Sequence, residues 1–255
     1  MIMLLAWRIL VPLAVVAVVA AVRMRNVVVV VNANINDRKP TNDLTFSDLD
    51  KELREYAISH DVPIIQDDGL AMLESIIRIK RPKKILEIGC AIGYSAIRMA
   101  SVLGSIVYTI ERNEEMYNQA IENVKKANLS DKIHIIFKDA LEAYDLVKDN
   151  TFDLIFIDAA KAQYMKFFNL YTPLLSDHGV VVCDNMEFHG LVLALDNEEE
   201  YKSYSRSVRG IIRKMAQFHD ELLAKEDFDT TLFEVGDGVA ISVKKWEAIQ
   251  DILPL

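Results

Sequence analysis

The sequence is poor in cysteine, histidine and positive charge. Its two cysteines, Cys90 and Cys183, show no metal-ligand spacing, and each ends an apolar run where a buried, reduced thiol is usual. The five histidines lack such spacing as well. Lysine and arginine number 29 against 38 aspartate and glutamate residues, a formal net charge of −9. These shortages argue against a cysteine- or histidine-based metal site and against general nucleic-acid binding, and the reduced thiols predict a cytoplasmic protein.

Internal repeats and low-complexity linkers are also missing, which favours one folded domain over several. The 255 residues are 51% hydrophobic and 26% charged, a composition typical of a globular protein with a substantial core. We assign the domain to residues 36–245 and treat residues 246–255 as a C-terminal tail.

Residues 1–33 form an apolar leader that differs from the rest of the chain. The leader contains three arginines and no acid, and a run of valines occupies 27–31. As a helix, its uncharged stretch 9–22 would extend about 21 Å, short of the ~30 Å hydrocarbon core of a bilayer. Two interpretations stay open: a membrane anchor over residues 1–31 that faces the cytoplasm, and an extension with no part in the fold.

Short apolar runs alternate with amphipathic segments along the domain. Two lead-in helices are predicted at 47–60, where Ser47 is suited to cap the first turn, and at 67–81. Strands are predicted at 84–88, 106–111, 133–137, 152–157 and 180–183, with helices between them at 94–103, 114–128, 140–147 and 161–175. A long helix at 199–225 precedes a hairpin, 230–235 and 239–245, around Gly236-Asp237-Gly238. This pattern predicts an α/β fold with a mostly parallel sheet, helices on both faces and an antiparallel closing strand.

The first predicted strand runs into a glycine turn and then a helix. Gly89 and Gly93 let the backbone approach a ligand closely, and ligands in such folds bind at the carboxyl ends of strands. The middle glycine of G-x-G-x-x-G is missing, which weakens a dinucleotide interpretation. Glu111, at the end of the next strand, is placed to accept hydrogen bonds from both ribose hydroxyls, and Asp139-Ala140 would reach an adenine edge. On these features alone a nicotinamide oxidoreductase stays open.

Hard oxygen ligands follow the fourth and fifth predicted strands. Asp158 ends one strand, and Asp184 and Asn185 end the other, so all three should meet on one rim of the sheet. Two carboxylates and an amide carbonyl suit Mg²⁺, with its remaining positions left for water and substrate. A dehydrogenase has no need of this trio. The sequence therefore predicts a divalent-cation site beside the cofactor.

The motifs together resemble a known family. L-E-I-G-x-x-x-G-Y-S at 86–95, D-A-A-K at 158–161, D-N at 184–185 and G-D-G with the closing strand are similar to the cation-dependent, class I S-adenosylmethionine (SAM) O-methyltransferases of the catechol and caffeoyl-CoA type. V-P-I-I at 62–65 and D-T-T-L-F-E-V-G-D-G-V-A-I-S-V at 229–243 are most similar to the bacterial branch with the tRNA 5-hydroxyuridine methyltransferase. Cys90, where relatives often have threonine, and the apolar leader depart from the family pattern.

The resemblance implies a Rossmann-like, seven-stranded methyltransferase fold, a homodimer, and SAM and Mg²⁺ as cofactors. It implies that Lys161 is the catalytic base. The predicted metal ligands are Asp158, Asp184 and Asn185. The residues predicted to bind SAM are Ile65, Glu87, Gly89, Gly93, Ser95, Glu111, Asp139, Ala140 and Asp158.

The acceptor is harder to predict. On the long predicted helix, basic residues share one face and form a stripe opposite the apolar face; they are Lys202, Arg206, Arg209 and Arg213. Such a stripe could meet the phosphates of tRNA, or it could be an ordinary solvated face. A 5-hydroxyuridine in tRNA and a small catechol-like or caffeoyl-CoA-like acceptor both present the vicinal oxygens that a chelating metal needs. We expect 5-hydroxyuridine at the tRNA wobble position, with the small aromatic acceptor, a nicotinamide oxidoreductase and a non-catalytic binding module as the alternatives.

Overall fold

The computed structural model describes residues 18–23, 26–31, 44–188 and 190–245, so the predicted tail and His189 lie outside the described residues. The strands are β1 (Val18–Arg23), β2 (Asn26–Val31), β3 (Lys84–Ile88), β4 (Ile106–Glu111), β5 (Ile133–Phe137), β6 (Phe152–Ile157), β7 (Leu175–Cys183), β8 (Phe228–Phe233) and β9 (Val239–Lys244). The helices are α1 (Leu44–Ser59), α2 (Asp67–Lys80), α3 (Tyr94–Leu103), α4 (Glu114–Lys126), α5 (Tyr144–Val147), α6 (Tyr164–Tyr171), α7 (Glu198–Ser203) and α8 (Arg206–Leu223). Short 3₁₀ turns occupy Lys161–Gln163, Thr172–Leu174 and Leu191–Asp196.

Seven strands form one sheet in the order β5-β4-β3-β6-β7-β9-β8. The first five of these pair in parallel, and β9 runs antiparallel between β7 and β8. The bounds of β3, β4, β5 and β6 agree with the sequence prediction, whereas β7 begins at Leu175 rather than at Val180. The predicted Rossmann-like α/β fold with an antiparallel closing strand is confirmed.

The sheet separates two hydrophobic cores. Because side chains alternate along a strand, Leu154 and Phe156 of β6 enter one core while Ile155 and Ile157 enter the other. Helices α1, α2 and α3 cover the first core, and α6 and α8 cover the second. The near-continuous apolar runs in the sequence are therefore strands that are buried on both faces.

Some predicted helix boundaries are wrong. Helix α1 begins at Leu44, so Ser47 lies inside the helix and does not cap it. The predicted helix 199–225 is two helices, because Tyr204 is extended and the Ser205 hydroxyl accepts a hydrogen bond from the Val208 amide to start α8. The helices predicted at 140–147 and 161–175 are shorter, and the second opens with the Lys161–Gln163 turn.

Within the leader, β1 and β2 pair antiparallel, with Val18 opposite Val31 and Arg23 opposite Asn26. A helical interpretation of 9–22 is therefore wrong for residues 18–22, and residues 9–17 lie outside the described part of the chain. Valine is β-branched and favours strands over helices, which agrees with this outcome. Among the described helices, none combines the length and the hydropathy that crossing a bilayer requires.

Candidate methyl-transfer site

A cavity of about 410 Å³ lies at the carboxyl ends of β3, β4, β6 and β7. This is the size of a small-molecule site, and it lies where parallel α/β sheets bind their ligands. Ten predicted site residues line it: Ile65, Gly89, Ser95, Glu111, Asp139, Ala140, Asp158, Lys161, Asp184 and Asn185. Glu87 and Gly93 are absent from its wall. The wall of one cavity therefore contains residues predicted to bind the methyl donor, the three predicted metal ligands and the predicted base.

Gly89 lets the loop after β3 lie against the end of β6. Its φ of 101° is in the region that favours glycine, and a Cβ at this position would lie 2.1 Å from the Asp158 carbonyl oxygen. The loop is fixed on both sides, since the Gly89 amide donates to the Ile110 carbonyl at 3.1 Å and the Asp158 amide donates to the Ile88 carbonyl at 3.0 Å. Close approach of two backbones, as well as of a ligand, thus explains this glycine.

Gly93 has a different reason to be glycine. It precedes α3 with a φ of 81°, and an added Cβ would lie 3.3 Å from the Ala120 side chain of α4. The residue therefore permits two helices to pack closely, and it does not reach the cavity.

Glu111 is oriented by backbone amides at the end of β4. One carboxylate oxygen accepts a hydrogen bond from the Ala91 amide at 2.8 Å, and the other accepts from Arg112 at 2.9 Å and Asn113 at 2.8 Å. These bonds join the glycine loop to β4 and hold a partly exposed carboxylate at the cavity wall. The arrangement suits recognition of a diol such as a ribose.

Asp139 stands next along the same wall. Its carboxylate accepts a hydrogen bond from the Leu141 amide at 2.9 Å and one from Arg112. The Leu141 bond and, to a smaller extent, Arg112 hold the pKa of Asp139 below its usual value, so the group stays ionised. It is therefore available to accept hydrogen bonds from a ligand.

Glu87 lies behind the loop and is fully buried. Ser95 and Thr109 donate their hydroxyl hydrogens to its two carboxylate oxygens. Burial raises the pKa of Glu87 to about 8 although both hydroxyls oppose the shift. The structure thus corrects the prediction of a ligand-binding Glu87: this carboxyl supports Ser95, which does line the cavity.

The predicted metal ligands come together as expected. The Asn185 side-chain amide donates to Asp158 at 2.8 Å, and the Asn185 backbone amide donates to Asp184 at 2.8 Å. Burial raises the pKa of Asp158, against the opposing effects of Lys161 and Asn185. Burial and then the charge of Asp158 raise the pKa of Asp184. The buried Asp184 carboxylate, the partly buried Asp158 carboxylate and the Asn185 side-chain amide together offer oxygen donors that a hard divalent cation would fit.

Among the residues that the structure describes, no group of three or more histidine, cysteine, aspartate or glutamate side chains is arranged to hold a metal. The candidate cation site differs from such groups because it depends on only two carboxylates and completes its donor set with Asn185. This combination is one that oxygen-seeking cations such as Mg²⁺ accept readily.

The Gly236-Asp237-Gly238 turn supports these ligands, a role that sequence reasoning missed. Its backbone carbonyls hold the loop after β7: Met186 donates to Gly238 at 3.0 Å, and Glu187 donates to Asp237 at 2.8 Å. The Asp237 side chain is buried, and its charge raises the pKa of both Asp158 and Asp184. The only sequence feature that points to this role is an aspartate between two glycines, and that pattern predicts no more than a hairpin turn.

Lys161 begins the 3₁₀ turn that follows β6, and it lines the cavity with Asp158. Its ammonium group lies 5.8 Å from the centre of the Phe188 ring, and its charge acts on the Asp158 carboxyl. Tyr164, one residue beyond the turn, donates its hydroxyl hydrogen to the Asp184 carbonyl at 3.1 Å. Lys161 therefore lies close to the end of β6 at Asp158, and the turn that it begins is linked through Tyr164 to the end of β7 at Asp184.

The basic stripe is less regular than predicted. Lys202 is on α7 and pairs with Glu198, so it does not share a helix with the three arginines. Arg209 lies over the Tyr201 ring at 5.9 Å, and Arg213 donates to the Tyr201 hydroxyl at 3.0 Å. The three arginines remain on α8, which also packs against the Lys161–Gln163 turn.

Comparison with known proteins agrees with this geometry. The sequence pattern of a family described as O-methyltransferase matches residues 42–245. A flavonoid 3',5'-methyltransferase of Vitis vinifera is 30% identical over 198 residues, covering 74% of this chain and 81% of that protein. A caffeoyl-CoA O-methyltransferase of Stellaria longipes is 29% identical over 200 residues, covering 74% and 80%.

Solved structures are similar over the same region. A Staphylococcus aureus protein proposed to be a caffeoyl-CoA O-methyltransferase is 40% identical, with a TM-score of 0.72 and coverage of 77% of this chain and 92% of that one. A Bacillus cereus O-methyltransferase in complex with S-adenosylhomocysteine is 25% identical, with a TM-score of 0.67 and coverage of 83% and 94%. The chain therefore belongs to the O-methyltransferase family and is a SAM-dependent O-methyltransferase.

Proposed function

We propose that this enzyme methylates one hydroxyl of an acceptor with two neighbouring oxygens, using a divalent cation held by Asp158, Asp184 and Asn185. The observation that carries the proposal is the meeting of these three side chains beside Lys161 in the cavity that Gly89 and Glu111 also line. Two acids and an amide at adjacent strand ends have no evident use in a nicotinamide enzyme, which makes that alternative less favourable.

In the proposed reaction, the metal-binding residues, Lys161 and the SAM-binding residues each have a separate role. A cation bound to the trio would lower the pKa of the acceptor hydroxyl by its charge. Lys161, in its neutral amine form, would take the proton from that hydroxyl and become an ammonium. The acceptor oxygen attacks the sulfonium methyl of SAM, the C–S bond breaks, and S-adenosylhomocysteine leaves. Glu111 and Asp139 would hold the nucleoside end of SAM, which would orient its sulfonium methyl toward the acceptor oxygen.

For the acceptor, we propose 5-hydroxyuridine at the wobble position of tRNA, which becomes 5-methoxyuridine. Its O5 stands beside O4 and supplies the oxygen pair. Arg206 and Arg213 are exposed on α8, the helix whose apolar face packs against the Lys161 turn, so their side chains are free to meet the phosphates of a large substrate. Positive side chains on an acidic body favour a ligand that carries phosphates.

A small catechol-like or caffeoyl-CoA-like acceptor is the second candidate. It is favoured by the relatives above, which include a flavonoid methyltransferase and a caffeoyl-CoA O-methyltransferase. Such acceptors have the same vicinal oxygens. Homodimerisation, the cytoplasmic location and a membrane contact of the leader stay predictions.

Methyl transfer from labelled SAM separates the two acceptors. tRNA that carries 5-hydroxyuridine, a catechol and caffeoyl-CoA are each incubated with Mg²⁺ or with EDTA. Label on tRNA that EDTA abolishes supports the primary proposal, whereas EDTA-sensitive label on a small acceptor alone supports the second. Label that survives EDTA would contradict the cation site.

Charge reversal tests whether α8 docks tRNA. Arg206→Glu with Arg209→Glu should abolish methylation of tRNA and spare a catechol. Lys214→Glu is the matched control, because Lys214 is exposed on the same helix about 100° from Arg213. Equal loss on tRNA and catechol would contradict docking through these arginines.

A further inference from the structure

One arginine joins the three helices α1, α2 and α3. Arg98 of α3 donates to Asp50 of α1 at 2.5 Å and to Glu74 of α2 at 3.0 Å. The Tyr94 hydroxyl, one helical turn earlier on α3, donates to the same Asp50 oxygen at 3.0 Å. The guanidinium fork therefore bridges two carboxylates from two other helices.

This network is connected to two parts of the cavity wall. Tyr94 lines the cavity, as does its neighbour Ser95. Residues 63–66 also line the cavity and lead directly into α2, to which Glu74 belongs. Arg98 itself does not line the cavity. It is placed to fix the spacing between these two parts of the wall.

The contacts are partly shielded from water, which strengthens them as positioning elements. Glu74 is 3% exposed, and the Arg98 side chain is 15% exposed. Burial alone would raise the pKa of Asp50, yet Arg98 and Arg54 outweigh it and lower that pKa, so the carboxyl stays charged. Without the Arg98 fork, Asp50 would still pair with Arg54 and Glu74 with Arg78, but the direct link between α1, α2 and α3 would be lost.

We propose that Arg98, through Asp50, Glu74 and Tyr94, is a positioning residue that holds segment 63–66 at the distance from α3 that SAM binding needs. This inference rests on SAM occupying the cavity. Helices α1 and α2 would then contribute to SAM affinity through Arg98, a side chain that does not contact the cofactor. The acceptor and the reacting atoms are unaffected by it.

Two variants test the proposal in the full chain. Arg98→Lys keeps the charge but replaces the fork with a single ammonium, which cannot bridge both carboxylates. Tyr94→Phe removes one hydroxyl and leaves every buried charge in place, so it remains informative if the first variant folds poorly. Arg78→Lys is the control, because Arg78 is 55% exposed and contacts the other Glu74 oxygen at 3.6 Å.

SAM binding by calorimetry, turnover at saturating SAM and amide exchange are measured for each variant. Arg98→Lys should raise the Kd for SAM about tenfold and Tyr94→Phe by a smaller factor, as expected for a lost charge-assisted hydrogen bond. For Arg98→Lys, turnover at saturating SAM should stay within about twofold, and amides of 64–66 should exchange faster while those of β4 and β6 do not. The control should bind SAM as the wild type does.

Two results would overturn the proposal. One is an unchanged Kd in both Arg98→Lys and Tyr94→Phe; the other is a Kd in Arg78→Lys that rises as much as in Arg98→Lys. A wild-type enzyme that fails to bind SAM would instead count against the proposed function, so the two failures are distinguishable.

Discussion

Replacing Gly89 with alanine should damage the enzyme far more than the same change at another glycine of similar backbone conformation. Gly89 and Gly104 have φ angles of 101° and 72°. A Cβ at Gly89 would lie 2.1 Å from the Asp158 carbonyl oxygen, whereas a Cβ at Gly104 meets nothing within 4 Å. Both variants place alanine at a positive φ, and only Gly89→Ala adds a collision.

The expected free energies follow from these contacts. The positive φ should cost each variant about 1–2 kcal/mol. Relief of the collision requires the loop or the end of β6 to move by about an ångström, which should cost a further 1–3 kcal/mol or so. We therefore expect Gly104→Ala to lose about 1–2 kcal/mol and Gly89→Ala about 2–5 kcal/mol of unfolding free energy.

Urea unfolding gives the stabilities, compared through midpoints at constant m. Calorimetry gives SAM affinity, which Gly89→Ala should reduce at least about tenfold because the loop shifts against Asp158, while Gly104→Ala retains it. If both variants lost the same stability and the same affinity, close approach to β6 would not be the reason for glycine at residue 89.

Three further changes probe single groups. Lys161→Ala should lower turnover about 100-fold or more and leave the Kd for SAM unchanged, since the lysine acts on the acceptor; a collapse of SAM binding would contradict its role as base. Glu111→Gln should weaken SAM binding about 10-fold to 100-fold in calorimetry, because an amide cannot replace both carboxylate acceptors, and unchanged affinity would exclude it from the nucleoside site. The raised pKa of Glu87 means that the folded state holds a proton that the unfolded state releases, so stability should fall as pH rises from the ordinary value toward about 8. Glu87→Gln should flatten that fall in urea midpoints at about pH 6 and about pH 8, and an unaltered slope would exclude Glu87 as its source.

The sheet could be predicted from the sequence because its strands are buried on both faces. The apolar residues of β3 and β6 would be exposed to water anywhere except inside the sheet, and the predicted bounds of both strands agree with the structure. Boundaries governed by local hydrogen bonds were less predictable. Ser205 caps α8, and the backbone of Tyr204 before it is extended, so the expected long helix is interrupted. A serine within a polar segment does not by itself predict such an interruption.

In the candidate site, too, some features could be predicted from the sequence and others could not. Asp158, Asp184 and Asn185 could be placed together because the carboxyl ends of parallel strands share an edge. Glu87 belongs to the same motif as the cavity residues, but its side chain points to the buried side of the loop. The Arg98 network joins α1, α2 and α3, and contacts between helices distant in sequence leave no periodic pattern to detect.

The position of β9 has a consequence for the order in which the enzyme is built. This strand enters the sheet between β7 and β8, and the turn before it holds the loop after Asp184. During synthesis, β3, β4, β6 and β7 leave the ribosome earlier than this turn. A nascent chain can therefore assemble the glycine loop and Glu111 before the loop that carries Asp184 and Asn185 is fixed. If these residues hold the proposed cation, the growing polypeptide should acquire that capacity after the capacity to bind SAM.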